Sequence, residues 1–488
     1  MKKKSLGINA LLNGFRNIIN LIFPLITFPY VTRVLSVQGI GIYNFSNTYA
    51  NYFILLAGLG ISTYAVREGA KYRDQQSKID VFSSQIFTIN ILSTIIAYIL
   101  LFASLIIFKN LRSYSLAIII FSLEIFFTTI GTEWIYTIYE EYSYITVRSI
   151  IFKIISLILL FVFVRKETDY LNYIWITVFS TVGSNLFNFI HAKKYCTIGL
   201  TKDINLSKHL KPILVIFASV LAVNIYVSSD TTILGLLKND YAVGIYSTSV
   251  KIYTMAESLL GAILVVTVPR FALLWGKKKY EKYNGLLIRV VSSLSILVLP
   301  ATVGIMMLSK EIIFIIAGKK YLASTNSLRI ICWAIVFSLF SFIFSQCVLI
   351  PIKKEKEVLK NTIITALINV LLNFILIPIL SYDGTSISTV ISELLVMILN
   401  SVSAREVIAP ILKSRVVRQN FRDSILGCLG IVIICFLVEK NYSSLILSTF
   451  LSIVLSILIY LCIMILLRNK TILSYIKWGK EIIFKRKA

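Results

Sequence analysis

Apolar stretches of about twenty residues, long enough to cross a bilayer as a helix, recur along the whole chain with short polar connections between them. The pattern predicts about fourteen spans, over residues 8–32, 42–66, 82–108, 115–139, 144–164, 171–190, 212–234, 242–269, 286–308, 325–351, 361–380, 384–404, 423–438 and 442–467. The largest connections run to only about 20 residues, too short to fold alone. Function therefore has to reside among the helices, and the expected fold class is an all-α integral membrane protein.

Two segments look alike. Residues 37–49 and 240–253 each open a span with Gly-Ile-Tyr, Gly41 matching Gly244. A weaker likeness joins 136–163 to 349–376. Six spans separate the copies, so both have the same orientation in the bilayer. That predicts two pseudo-symmetric six-helix lobes around a central cavity, residues 1–210 and 211–410, with 411–488 adding two C-terminal helices and a basic tail.

Several spans carry polar stripes at helical spacing. Span one places Asn9, Asn13, Arg16, Asn17, Asn20 and Thr27 on one face. Asn44, Asn47 and Asn51 do so in span two, Ser149, Lys153 and Ser156 in span five, and Ser247, Lys251, Thr254 and Ser258 in span eight. Lipid cannot face such stripes. The economical arrangement is one hydrophilic cavity holding Arg16 and Lys153 from the first lobe and Lys251 from the second, with Asn13, Asn17, Asn20, Asn47 and Asn51 in its lining. Cations beside amides and hydroxyls suit a ligand with an anionic head and many hydroxyls. Interhelical polar residues also hold bundles together, and that reading competes for each single Asn or Ser; lone cations are costly as packing elements. The intramembrane carboxylates Glu124, Asp230, Glu257 and Glu393 are candidates for ion coupling or charge pairing.

Composition agrees: 57% hydrophobic residues, 15% charged and a mean hydropathy of +0.84 exclude a soluble core. The formal net charge of +26 is placed as a topology signal. With the N-terminal lysines in the cytoplasm, 34 of the 49 Lys and Arg fall in the termini and connections on that side, as the positive-inside rule requires. A nucleic-acid partner is not needed to explain the charge; anionic inner-leaflet lipid is a natural neighbour. The six cysteines form no C-x-x-C pair and read as small hydrophobes, and no metal-ligand or nucleophile motif stands out. No cofactor is implied, and no loop offers a catalytic cluster.

Three stretches carry a family resemblance: Phe28-Pro-Tyr-Val-Thr-Arg33-Val-Leu followed by Gly39-Ile-Gly-Ile-Tyr43; Leu59-Gly-Ile-Ser-Thr-Tyr-Ala-Val-Arg67-Glu68; and Asn369-Val-Leu-Leu-Asn373-Phe-Ile-Leu-Ile-Pro378 with Asp383-Gly384-Thr-Ser-Ile-Ser-Thr389-Val-Ile-Ser-Glu393. Pro269-Arg270 fits as well. Over about residues 5–410 the chain resembles the Wzx-type polysaccharide repeat-unit flippases, of the superfamily that includes lipid II flippases and multidrug extruders. It departs from their usual pattern at Ser36-Val37 and at Thr385-Ser386. The resemblance implies a fourteen-span bacterial inner-membrane protein, both termini cytoplasmic, that moves an undecaprenyl-diphosphate-linked oligosaccharide to the outer leaflet by alternating access. Partners would be that substrate, membrane lipid, the polysaccharide polymerase and other assembly proteins. Two alternatives stay open: a multidrug cation extruder of the same fold, and a membrane-embedded enzyme that assembles the glycan.

Overall fold

The computed structural model describes residues 19, 22–442 and 444–485, and every regular element among them is helical. In chain order these are α1 (Ile22–Val34), α2 (Val37–Gly58), α3 (Ile61–Gly69), α4 (Gln76–Ile107), α5 (Ser115–Gly131), α6 (Glu133–Ile138), α7 (Tyr142–Phe163), α8 (Tyr170–Ala192), α9 (Leu206–Leu237) and α10 (Asp240–Gly276). There follow α11 (Tyr280–Met307), α12 (Ser309–Ile316), α13 (Ser324–Ile331), α14 (Trp333–Phe342), α15 (Glu355–Ser403), α16 (Arg405–Lys413), α17 (Arg415–Asn441), α18 (Leu445–Leu466) and α19 (Lys470–Lys485).

Among the described residues ten helical segments are long and apolar enough to cross a membrane, where fourteen spans are expected along the full chain. One cause is α15, whose 49 residues turn back at Ser381 (φ 52°, ψ −131°). Its halves are held antiparallel by Asn361 Nδ2 to Asn400 Oδ1 (2.9 Å), Asn361 Nδ2 to Ser403 Oγ (3.1 Å) and Ser388 Oγ to Asn373 Oδ1 (2.5 Å). A second cause is polarity: α8, 23 residues long and carrying Thr177, Thr181, Asn185 and Asn188 at helical spacing, is not among the ten.

Packing divides the chain into two compact units, residues 1–247 and 248–488. In the first, α2 packs on α4, α5, α8 and α9, and α5 on α8. Two of its helices are interrupted by left-handed residues: α2 gives way to α3 at Leu59 (φ 44°) and Gly60 (φ 70°), and α5 to α6 at Thr132 (φ 40°). The first break strands the Ala57 carbonyl, which instead accepts from Asn90 Nδ2 (2.8 Å) and Ser93 Oγ (2.5 Å) of α4, as a carbonyl inside a bilayer must. A Cβ at Gly60 would strike Ile216 and the Phe217 backbone of α9, so glycine is required there by contact as well as by φ. The short helices α3 and α6 then pack on each other, and an apolar cluster containing Ile61, Tyr64, Phe82, Trp134, Ile138 and Tyr195 fills that end of the unit.

In the second unit α14 packs on α15, and α11 on α17, which pairs with α18. The turn from α18 into α19 is fixed by a buried polar knot. Asn469 caps α19 by accepting from the Thr471 and Ile472 amides (3.1 and 3.2 Å), and its Nδ2 donates to Asn420 Oδ1 and Asp423 Oδ2, both at 2.8 Å.

Candidate functional site

The stripe of span one, Asn13, Arg16, Asn17 and Asn20, lies outside the described residues. In the first unit, Lys153 on α7 is half-buried with its ammonium 5.6 Å from the centre of the Phe23 ring of α1, a cation–π distance. Asn51 Nδ2 donates to Asn47 Oδ1 (3.2 Å) on the exposed side of α2, while Asn44 turns back onto the Ile40 carbonyl (2.9 Å). Lys251 belongs to the second unit, half-buried on α10 one turn from Thr254.

The carboxylates sit among hydroxyls. Glu124 of α5 is buried beside Thr181 of α8, and Asp230 of α9 accepts from Tyr246 (2.8 Å). In the second unit Glu257 has Ser338 and Tyr253 as hydrogen-bonding neighbours, and Glu393 acts electrostatically on the same Tyr253. The two glutamates thus share one tyrosine, an arrangement the sequence did not reveal because α10 and α15 are far apart along the chain. Asn369 and Asn373, in the resemblance motif, serve the α15 hairpin: Asn373 donates to Asn369 (3.2 Å) and accepts from Ser388.

A polar stripe on α8 went unread in the sequence although its spacing is helical. Thr177 meets the Tyr43 hydroxyl (3.3 Å), Thr181 lies beside Glu124, Asn185 fills the space a Cβ on Gly131 would need, and Asn188 and His191 continue to the end of the helix. Within this seam Glu124 Oε1, both polar atoms of Asn188 and His191 Nδ1 are buried without a hydrogen-bond partner among the described residues. Buried polar groups are nearly always bonded, so a run of this kind marks places for internal water.

The sequence repeat has a structural counterpart at the first turns of α2 and α10. Ser36 Oγ accepts from the Gly39 amide (3.0 Å) and Asn239 Oδ1 from the Ala242 amide (2.9 Å), so equivalent positions cap equivalent helices. A Cβ on Gly41 would collide with the Asp240 backbone, and one on Gly244 with the Val37 carbonyl. The two helices cross reciprocally where each lacks a side chain.

The second unit also carries an apolar groove of about 1140 Å³. Leu264 of α10, Leu297 and Ala301 of α11, Ile457 of α18 and Ile472 of α19 line it, with Arg270 and Arg289 among its few polar residues. No local pattern announces it, because a groove is what helices leave open between them.

Long apolar helices with buried polar seams, a reciprocal glycine crossing and an apolar groove between them make a polytopic membrane fold. The solved lipid II flippase MurJ, in an inward closed conformation, matches it with a TM-score of 0.77 at 15% identity, covering 95% of this chain and 99% of that one. An inward-facing multidrug resistance MATE family transporter of the MOP superfamily matches with a TM-score of 0.61 at 16% identity, covering 80% and 95%. A family model described as polysaccharide biosynthesis protein matches residues 6–275, more than half of the chain, and the chain belongs to that family. Two relatives, from Shigella dysenteriae and Escherichia coli (strain K12), are provisionally named O-antigen transporters. Each is 24% identical, over 383 and 386 residues, or 78% and 77% of this chain and 95% and 91% of their own length.

Proposed function

We infer that this protein is a flippase for a lipid-linked oligosaccharide, carrying the repeat unit of a surface polysaccharide from the cytoplasmic to the outer leaflet. Family membership and the names of its relatives support that reading. The observation that carries it is the groove. A bundle that passes only polar solutes has no use for an apolar slot of membrane depth, whereas a lipid-linked substrate must keep its tail in an apolar medium while its sugars cross.

The finer reading follows from chemistry. Two lobes, residues 1–210 and 211–410, enclose a hydrophilic cavity, and the appended 411–488 helices form part of the groove wall. Arg16, Lys153 and Lys251 attract the diphosphate, since charges at membrane depth are retained only where they face protein or water. Asn13, Asn17, Asn20, Asn47 and Asn51 hold sugar hydroxyls, and the lobes rock to expose the cavity on either side. Glu124, Asp230, Glu257 and Glu393 are available to bind a coupling ion. The setting is the bacterial inner membrane with both termini cytoplasmic, a polymerase receives the product, and the protein itself makes and breaks no covalent bond.

Reconstitution with an undecaprenyl-diphosphate-linked oligosaccharide, scoring leaflet accessibility, tests the function. The joint variant Lys153→Ala and Lys251→Ala is expected to flip at least about tenfold more slowly at equal protein level, the loss of one or more charge-assisted contacts. An unchanged rate removes the cation reading, and no flipping by the unaltered protein removes the function.

A further inference from the structure

The groove ends in cations that a tail site does not need. Arg270 lies six residues before the end of α10 and Arg289 nine residues into α11, about 9 and 14 Å from the turn between them. Both are exposed and line the groove, together with Thr267, Ser293 and Tyr475. Ser293 Oγ and the Tyr475 hydroxyl are 2.5 Å apart, which ties α19 to α11 at this point. Neither arginine enters an ion pair among the described residues. The turn adds Lys277, Lys278, Lys279 and Lys282 against Glu281, which marks this end as cytoplasmic.

The dimensions select the occupant. Lining residues on α11 and its continuation run from Leu286 to Ile312, and the stretch from Arg289 to Leu308 alone rises about 28 Å, nearly the whole hydrocarbon thickness. An acyl chain of one leaflet covers about half of that. A polyprenyl chain fills it, and such a chain ends in phosphate. Guanidinium groups are suited to that head because their planar forks bind phosphate oxygens in pairs, and at headgroup depth they escape the cost of burial.

We propose that Arg270 and Arg289, assisted by the Ser293 and Tyr475 hydroxyls, form a loading site for the diphosphate of a polyprenyl-linked substrate at the cytoplasmic mouth of the groove. The site rests on the reading of the groove as a tail site. It is distinct from Arg16 and Lys153, which lie elsewhere in the chain, and from Lys251, which does not line the groove. It gives the substrate a docked state before its sugars leave the cytoplasmic side.

The test titrates the full-length protein in nanodiscs with undecaprenyl diphosphate, undecaprenol and phosphatidylglycerol. The unaltered protein is expected to prefer the diphosphate to the alcohol by at least about tenfold, the worth of one charge-assisted contact. Arg270→Ala with Arg289→Ala should erase the preference and leave undecaprenol binding unchanged, while Arg270→Lys with Arg289→Lys should restore part of it. Retained preference in the alanine pair overturns the loading site and leaves the groove reading intact. Competition by phosphatidylglycerol as strong as by the diphosphate also overturns it, because the arginines would then read any anionic lipid. Undecaprenol binding that is absent, or indifferent to Ala301→Trp in the groove wall, removes the tail reading and the loading site together.

Discussion

Glu124 and His209 show how different two buried titratable side chains can be. Among the described residues Glu124 has one unpartnered oxygen, and the groups that act on it are hydroxyls, Thr181 from α8 and, at longer range, Tyr43 from α2, itself stacked on Tyr173. A carboxyl so placed can change its proton content without breaking an ion pair. Glu124→Gln keeps the shape and removes ionisation; in vesicles with an imposed pH gradient it is expected to lose any response of flipping to that gradient. Retention of the response would leave Glu124 as a packing element. His209, at the first turn of α9 before the expected span, is fully satisfied: the Tyr64 hydroxyl meets Nδ1 at 2.8 Å and Nε2 meets Gln85 Oε1 at 3.0 Å. Burial, with Lys208 adding to it, holds its pKa below the usual imidazole value of 6.5. Protons therefore bind the unfolded chain more readily than the folded one. The stabilisation is complete above about pH 6.5 and is lost as pH falls towards the folded value. His209→Phe should lower stability at pH 7.5 by about 1–3 kcal/mol, the cost of stranding Tyr64 and Gln85, and flatten the decline between pH 7.5 and 5.5, read as melting temperature in detergent.

At the scale of elements, the crossing of α2 and α10 yields the sharpest expectation. Gly41 and Gly244 face each other's first turns with no room for a Cβ, so Gly41→Leu or Gly244→Leu should hold these ends apart. If this contact closes the outer side in one stage of transport, either variant should label faster at an outward-facing cysteine probe and flip at least about tenfold more slowly, with overpacking of about 1–3 kcal/mol. Labelling and flipping equal to the unaltered protein would show that the crossing stays shut throughout. This contact was half legible. The Gly-Ile-Tyr repeat identified equivalent positions, but that the copies touch depends on tertiary packing. Long apolar spans were read to within several residues, the expected 82–108 standing against α4 at Gln76–Ile107. The breaks at Leu59 and Thr132 were not, because a left-handed residue leaves no hydrophobic signal, and at the first of them the freed Ala57 carbonyl is satisfied by Asn90 and Ser93 from another helix. The α8 stripe was readable at Thr177, Thr181, Asn185 and Asn188, yet no charge draws the eye to it.

At the scale of the whole molecule, direction has to come from an energy source, and the substrate carries one. A diphosphate moving outward travels with an inside-negative potential, which is worth about 2.3 kcal/mol per charge for each 100 mV. With two charges carried uncompensated, 100 mV would hold the outer leaflet enriched by more than a thousandfold, so far less than full charge movement suffices. On the loading-site proposal the cationic turn between α10 and α11 collects the head where the potential is lowest, and coupling through carboxylates such as Glu124 and Glu257 would be a separate route for tapping an ion gradient. The two sources separate cleanly in vesicles whose potential is set by a potassium gradient and valinomycin at equal pH on both faces. Potential-driven transport predicts outward enrichment that rises with the imposed voltage and falls to equal leaflet occupancy at zero, in Glu124→Gln as in the unaltered protein. No enrichment under voltage alone, with enrichment produced by a pH gradient imposed at zero voltage, would assign the work to the carboxylates instead.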